Sequence, residues 1–212
     1  MAATLAGLVP AAAIAADAPA ATARIDPATA LKRMMDGNAR FVRGAMVSFD
    51  EDLAELRRGV VDKQTPFAAV LSCADSRIPV ELVFDQSIGH VFVARVAGNI
   101  ATPEVIASLE YGAAVLGVST IMVLAHESCG AVKAATDGKA VPGQISALYA
   151  PLRAAVARGG TDVEQIARYN ALAQADILRN ASPLLKGLVD QGALSVVAAY
   201  YALKTGEVTL LT

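Results

Sequence analysis

Both cysteines of the chain and one of its two histidines lie in two short polar motifs, each of which closes an apolar run. The first motif spans residues 73–77 (CADSR) and the second spans residues 126–130 (HESCG). Thiolates, an imidazole and a carboxylate are ligand types that hold zinc in a tetrahedral arrangement. The motifs therefore predict a Zn²⁺ site with four candidate ligands, Cys73, Asp75, His126 and Cys129.

Other interpretations exist for each of these side chains. A single cysteine is often a buried structural thiol, and a single histidine is often a hydrogen-bonded core residue. A disulfide between Cys73 and Cys129 would suit an exported protein, but it would leave Asp75 and His126 unexplained. A redox thiol pair is disfavoured because the chain has no Cys-x-x-Cys. The joint occurrence of all four ligand types favours zinc.

The role of Asp75 depends on its neighbour Arg77, two residues further along the chain. A bidentate salt bridge from Arg77 would orient the carboxylate and keep it ionised. Asp75 could instead be a fourth zinc ligand, which would close the site to water. The sequence is compatible with both arrangements. In the open one, hydroxide on zinc is the expected nucleophile, since water on a catalytic zinc has a pKa of about 7.

The elements that must position these motifs follow a strand–helix alternation. Short apolar runs predict strands at 67–72, 90–96 and 119–125, and the first and third of these strands lead directly into the two motifs. Caps and periodicity predict helices at 27–42, 51–61, 80–85, 102–116, 143–158, 162–180 and 183–191, and a final hairpin at 194–203 and 208–211. This order predicts a single α/β domain with a mostly parallel central sheet flanked by helices.

Length, charge and composition exclude several classes of function. The chain has 212 residues and a formal net charge of −2, so it lacks the basic surface that nucleic-acid binding requires. Its apolar runs are too short to form a membrane-spanning helix. Residues 1–25 are predicted to be a signal or flexible segment, and residues 26–212 the folded domain. The Ala-rich start predicts a periplasmic or secreted protein, but its first basic residue is Arg24, which keeps a cytoplasmic location as the alternative.

At the two motifs the chain resembles the β-class carbonic anhydrases, whose zinc signatures these motifs match. The resemblance extends over roughly residues 26–211. It includes residues 84–86 (FDQ), 92–99 (FVARVAGN) and 109–111 (LEY). It implies zinc ligation by Cys73, His126 and Cys129, with Asp75 as fourth ligand or as the partner of Arg77.

The resemblance also implies a substrate pocket. Gln64 matches a family glutamine that hydrogen-bonds substrate, and the backbone N–H of Gly130 is expected to hold bicarbonate. Phe92 and Tyr111 match aromatic pocket residues, partly contributed by a neighbouring subunit, although composition alone would place them in the core. A homodimer or homotetramer is implied, because the family's active cleft lies at a dimer interface.

The resulting functional hypothesis is an enzyme, a carbonic anhydrase. It would catalyse the reversible hydration of carbon dioxide to bicarbonate and a proton by zinc-bound hydroxide. One alternative is hydrolysis of carbonyl sulfide or carbon disulfide on the same scaffold. Another is a non-catalytic zinc-binding interaction protein.

Overall fold

The structure is a computed structural model that describes residues 24–48, 50 and 53–212. The helices are α1 Pro27–Val42, α2 Leu53–Gly59, α3 Val80–Val83, α4 Pro103–Ala114, α5 Gly130–Asp137, α6 Tyr149–Gly159, α7 Val163–Asn180 and α8 Pro183–Asp190. The strands are β1 Ala68–Ser72, β2 Val91–Arg95, β3 Thr120–His126, β4 Ser195–Tyr201 and β5 Val208–Leu211. A short 3-10 helix, Ile145–Leu148, precedes α6.

The five strands form one sheet in the order β2-β1-β3-β4-β5. All neighbouring pairs are parallel except β4 and β5, which form the antiparallel hairpin. Every residue of β1 and β3 is buried, as expected for central strands covered on both faces. The predicted α/β fold with a mostly parallel sheet is therefore confirmed.

Helices pack against this sheet and bury an aliphatic core. Helix α1 contacts β1 and β3, α4 contacts β1 and β2, and α7 contacts β3 and β4. The local signals for α1 are also confirmed: Asp26 caps it by accepting a hydrogen bond from the Thr29 N–H at 2.9 Å, and Pro27 is its first residue. Among the described residues, no helix has the length and apolar character needed to cross a bilayer.

Two features of the helices differ from the sequence-based expectation. Helix α5 was not predicted, because its eight residues follow a metal-ligand motif and carry only one buried side chain, Val132. The helix predicted over 143–158 is shorter, since the chain first forms the 3-10 helix and α6 begins only at Tyr149. Gly143, with a φ of +61°, lies outside both helices.

The predicted signal or flexible segment, residues 1–25, lies almost entirely outside the described residues. Its cleavage and the location of the protein stay predictions, as does the domain boundary at residue 26.

Candidate metal centre

Parallel pairing of β1 and β3 brings the two polar motifs together. Ser72, the last residue of β1, lies opposite Leu124 in β3. Cys73 directly follows β1, and His126 is the last residue of β3. Cys129 then caps the start of α5. Because both strands point the same way, their carboxyl ends bring all three side chains to the same end of the sheet.

The three side chains form a buried group suited to a metal ion. One ligand atom from each of Cys73, His126 and Cys129 lies within 4.8 Å of the other two. The Nδ1 atom of His126 lies 2.8 Å from the Glu127 carbonyl oxygen. Because a carbonyl oxygen only accepts, Nδ1 is the donor in this hydrogen bond. The buried Nε2 atom then has no hydrogen-bond partner among the described residues. Two thiols and an unpartnered imidazole nitrogen fit the donor set of a zinc site.

The two thiols do not form a disulfide; both are free and buried. The pKa of Cys73 is lowered to about 4, chiefly because the Cys129 thiol donates a hydrogen bond to it. The pKa of Cys129 is raised, because it makes this bond and is buried beside the Cys73 charge. A divalent cation bound by both sulfurs would displace the remaining thiol proton, because thiolates are the metal-binding form.

The Asp75 carboxylate binds Arg77 through both of its oxygens. The Arg77 Nε donates to Oδ1 at 2.9 Å and Nη2 donates to Oδ2 at 2.7 Å. This guanidinium holds the pKa of Asp75 well below its usual range, against the opposing effect of partial burial. Oδ2 is still only 4.0 Å from the Nε2 of His126. Asp75 is therefore paired with Arg77 in this structure, and its role as a metal ligand stays a prediction.

Hydrogen bonds from other parts of the chain hold the first ligand loop, residues 73–77, in place. Arg95, at the end of β2, donates from Nε to the Cys73 carbonyl at 2.9 Å and from Nη2 to the Asp75 carbonyl at 2.5 Å. The Gly98 N–H donates to the Cys73 sulfur at 3.3 Å. Asn170 in α7 donates to the Gly98 carbonyl at 2.8 Å. The sequence offered no direct sign of these contacts, since they join residues far apart in the chain.

The second ligand loop is held through Ser128, which has a left-handed φ of +54°. The Glu164 carboxylate accepts a hydrogen bond from the Ser128 N–H at 2.9 Å. Arg77 donates to the Ser128 carbonyl at 3.2 Å, which links the two loops. A strained non-glycine conformation persists only where surrounding contacts determine it. Sequence analysis did not identify Glu164, which lies 36 residues beyond Ser128.

The other predicted site residues divide into two groups. Gly130 is the first residue of α5 and adjoins Cys129, and its N–H has no intrahelical acceptor at that position. Gln64 is exposed in the segment before β1, so it lies at the opposite end of that strand from Cys73. A strand of five residues alone spans about 16 Å. One chain therefore does not bring Gln64 to the metal centre.

Phe92 and Tyr111 also lie away from the ligands in the single chain. Phe92 is opposite Ala69, near the amino end of β1. Its ring packs against Gly112, where a Cβ would lie 3.3 Å from the Phe92 Cδ1. Tyr111 is 48% exposed on α4, so it is not the core aromatic that composition alone suggested.

Comparison with known proteins identifies the family. A model of the family described as carbonic anhydrase matches residues 68–208. The chain belongs to the carbonic anhydrase family. Carbonic anhydrase 2 of Mycobacterium tuberculosis is 33% identical over 193 residues, covering 87% of this chain and 93% of that protein. The sequence-based recognition of the family and of the enzyme class is confirmed.

Solved structures assign the fold to the β class of carbonic anhydrases. The β-carbonic anhydrase CcaA superposes with a TM-score of 0.69 at 25% identity, covering 86% of this chain and 95% of that one. One of two tetrameric β-carbonic anhydrases from Sordaria macrospora gives a TM-score of 0.70 at 24% identity, covering 75% of this chain and 87% of that one. The second likeness shows the fold alone.

Replacing a ligand sulfur tests the metal centre. We expect Cys73→Ser to lose bound zinc, because a hydroxyl is a much weaker zinc ligand than a thiolate. Metal content of the purified protein, measured by mass spectrometry, checks this expectation. Ser72→Ala is a matched control: the neighbouring Ser72 hydroxyl is buried without a hydrogen-bond partner among the described residues, so its removal should leave zinc bound. Full zinc occupancy in Cys73→Ser would contradict this ligand assignment.

The contact between Glu164 and Ser128 gives a second prediction. Glu164→Ala should weaken zinc binding by about 10- to 100-fold, as is typical when a group supporting the ligands is removed. Glu164→Gln keeps a carbonyl oxygen that can accept the Ser128 N–H, so it should retain most of the affinity. Glu104→Ala, at an exposed acid in the first turn of α4, is the control. Competition with a chromophoric zinc chelator measures all four proteins, and equal affinities would refute the role of Glu164.

Proposed function

We propose that this protein catalyses the reversible hydration of carbon dioxide to bicarbonate and a proton, with Zn²⁺ held by Cys73, His126 and Cys129. Membership of the carbonic anhydrase family supports this reaction. The observation that carries the proposal is the Asp75 carboxylate, which lies beside a three-residue metal group while Arg77 binds both of its oxygens. Three protein ligands with a neighbouring fixed acceptor are typical of a catalytic zinc site, whereas structural zinc sites have four ligands.

The chain's own residues orient the reacting water. Zinc bound at this centre would supply Lewis acidity, which makes water a nucleophile near neutral pH. The Asp75 oxygen nearest His126 accepts a hydrogen bond from that water and directs its lone pair toward the carbon of carbon dioxide. Arg77 keeps Asp75 ionised, so Asp75 acts as an acceptor and does not donate a proton. The new C–O bond yields bicarbonate, and the proton from water passes to solvent.

The first residue of α5 suits the anionic product. The Gly130 N–H is free of intrahelical bonding, and the positive end of the helix dipole favours an anion there. A Cβ on Gly130 would meet no atom within 4 Å, so there is open space beside this backbone group. We therefore assign Gly130 to bicarbonate binding.

A second copy of the chain would complete the substrate pocket. Strand β2 is at the edge of the sheet, and none of its residues is fully buried in the single chain. Gln64, Phe92 and Tyr111 lie toward the other end of the sheet from their own metal centre, so they can serve only a neighbour's. We propose a homodimer in which these residues of each subunit line the substrate pocket of the partner, with a homotetramer as the larger assembly. The two β-carbonic anhydrases from Sordaria macrospora, which share this fold, are tetrameric.

The reaction is tested by stopped-flow measurement of carbon dioxide hydration on the zinc-loaded protein. We expect zinc-dependent turnover that exceeds turnover of carbonyl sulfide and carbon disulfide. A preference for either sulfur compound would favour the hydrolase alternative. Zinc binding without turnover of any of the three would favour the interaction protein.

Asp75→Asn separates orientation of water from metal binding. The amide keeps the size of the side chain but removes the negative charge that pairs with Arg77. We therefore expect the rate of carbon dioxide hydration to fall by about 10- to 100-fold while zinc stays bound. Stopped-flow rates and metal content measure the two effects. Asp190→Asn, at an exposed residue paired with Lys186, is the control. Undiminished turnover in Asp75→Asn would refute the proposed role.

Subunit exchange tests whether Gln64 acts on the partner. Gln64→Ala and Cys73→Ser should each be impaired as homodimers. In a mixed dimer, the metal centre of the Gln64→Ala subunit has all its ligands and receives Gln64 from the Cys73→Ser subunit, so one intact site returns. Purification with two different affinity tags isolates the mixed dimer for the hydration assay. Failure to recover activity would show that Gln64 does not act across an interface.

A further inference from the structure

A second cavity lies at the opposite end of β1 from the metal centre. Its volume is about 300 Å³, and Phe67, just before β1, lies in its wall. Among the described residues, the lining combines basic side chains with apolar ones and includes no aspartate or glutamate. It contains Arg24, Ile25, Arg33, Phe67, His90 and Leu116. None of them belongs to the metal centre.

The first cation of this cavity, Arg24, has spare hydrogen-bonding capacity. Its Nη2 donates to the Ala113 carbonyl at 2.5 Å. Its Nη1 is buried and has no hydrogen-bond partner among the described residues. Leaving a charged donor buried and unpaired is costly, so this nitrogen requires an acceptor. Within the described ranges, no carboxylate lies within 4.0 Å of Arg24.

The second cation, Arg33, contacts an aromatic ring and an imidazole. Its guanidinium stacks 4.2 Å above the Phe67 ring, and its Nη2 contacts the His90 Nδ1 at 3.1 Å. The Ser87 N–H also donates to that Nδ1, at 3.3 Å. Burial, and then the positive charge of Arg40, lower the pKa of Arg33. No salt bridge joins Arg33 to an acid among the described residues.

The size and walls of the cavity restrict the ligand. Two guanidinium groups that have no carboxylate partner among the described residues favour a carboxylate ligand, which accepts paired N–H donors. An inorganic oxyanion would leave much of the volume empty and the apolar walls at Ile25, Phe67 and Leu116 uncovered. An organic acid covers those walls with its apolar part. Cavities of about this size are typical of small-molecule sites.

We propose that the cavity between Arg24 and Arg33 binds a small organic carboxylate with a short apolar or aromatic body. The carboxylate contacts the two guanidinium groups, and the apolar body lies against Ile25, Phe67 and Leu116. This site lies at the opposite end of β1 from the metal centre of its own chain, and the binding proposed here does not depend on the proposed reaction.

Binding of 4-bromobenzoate to the zinc-loaded protein tests the proposal. Isothermal titration should show one site per chain, and crystals soaked with the same compound should show the bromine's anomalous signal inside this cavity. The neutral isostere 4-bromobenzamide should bind at least about tenfold more weakly, because it lacks the charge that the arginines recognise. Equal binding of the amide would overturn the proposal, since it would indicate an apolar crevice only.

Variants locate the interaction in solution. Arg24→Met and Arg33→Met keep much of the apolar stem and remove the charge, so each should weaken 4-bromobenzoate binding by about tenfold. Arg43→Met, at the exposed residue directly after α1, should leave the affinity for 4-bromobenzoate unchanged. Unchanged affinity in the first two variants would overturn the proposal. Bromine found only at the metal centre, or a cavity filled by a partner chain or by residues before Arg24, would also overturn it.

Discussion

The parallel pairing of β1 with β3 is the constraint on which the metal centre depends. Neither motif contains a complete ligand set, so the site exists only if two strands about 50 positions apart in sequence lie side by side and end together. Five fully buried residues in β1 and seven in β3 make this pairing a central part of the core. A slip in their register would move Cys73 away from His126 and turn neighbouring side chains to the wrong face.

The loops beyond those strands need further support, because irregular backbone near a cation is otherwise mobile. Arg95 binds two carbonyls of the first loop, and Glu164 binds the strained Ser128 of the second. Arg77 contributes to both loops, since it binds the Asp75 carboxylate and the Ser128 carbonyl. The Arg77 guanidinium therefore binds the Asp75 carboxylate of the first loop and the backbone of the second loop at the same time.

The two ends of the sheet have different electrostatic character. At the carboxyl end, two neighbouring thiols, an imidazole and the ionised Asp75 carboxylate form a group that suits a cation. At the amino end, Arg24 and Arg33 line a cavity to which the described residues contribute no acidic side chain, the basis of the proposed carboxylate site. Gln64, Phe92 and Tyr111 also lie away from the ligands of their own chain. The proposed reaction therefore draws on a candidate ligand group from one subunit and, as proposed, on pocket residues from a second.

The sequence by itself determined the two motifs with their candidate ligand types, the strands that carry them and the family, because these depend on residue identity and local periodicity. Helix α5 escaped prediction because its sequence has too few buried positions to show a helical pattern. Only the tertiary structure decided that Asp75 faces Arg77, that Glu164 and Arg95 hold the ligand loops, and that Gln64 lies at the far end of β1. Those outcomes depend on contacts between distant residues, and the spacing of residues along a chain does not specify which distant groups will meet.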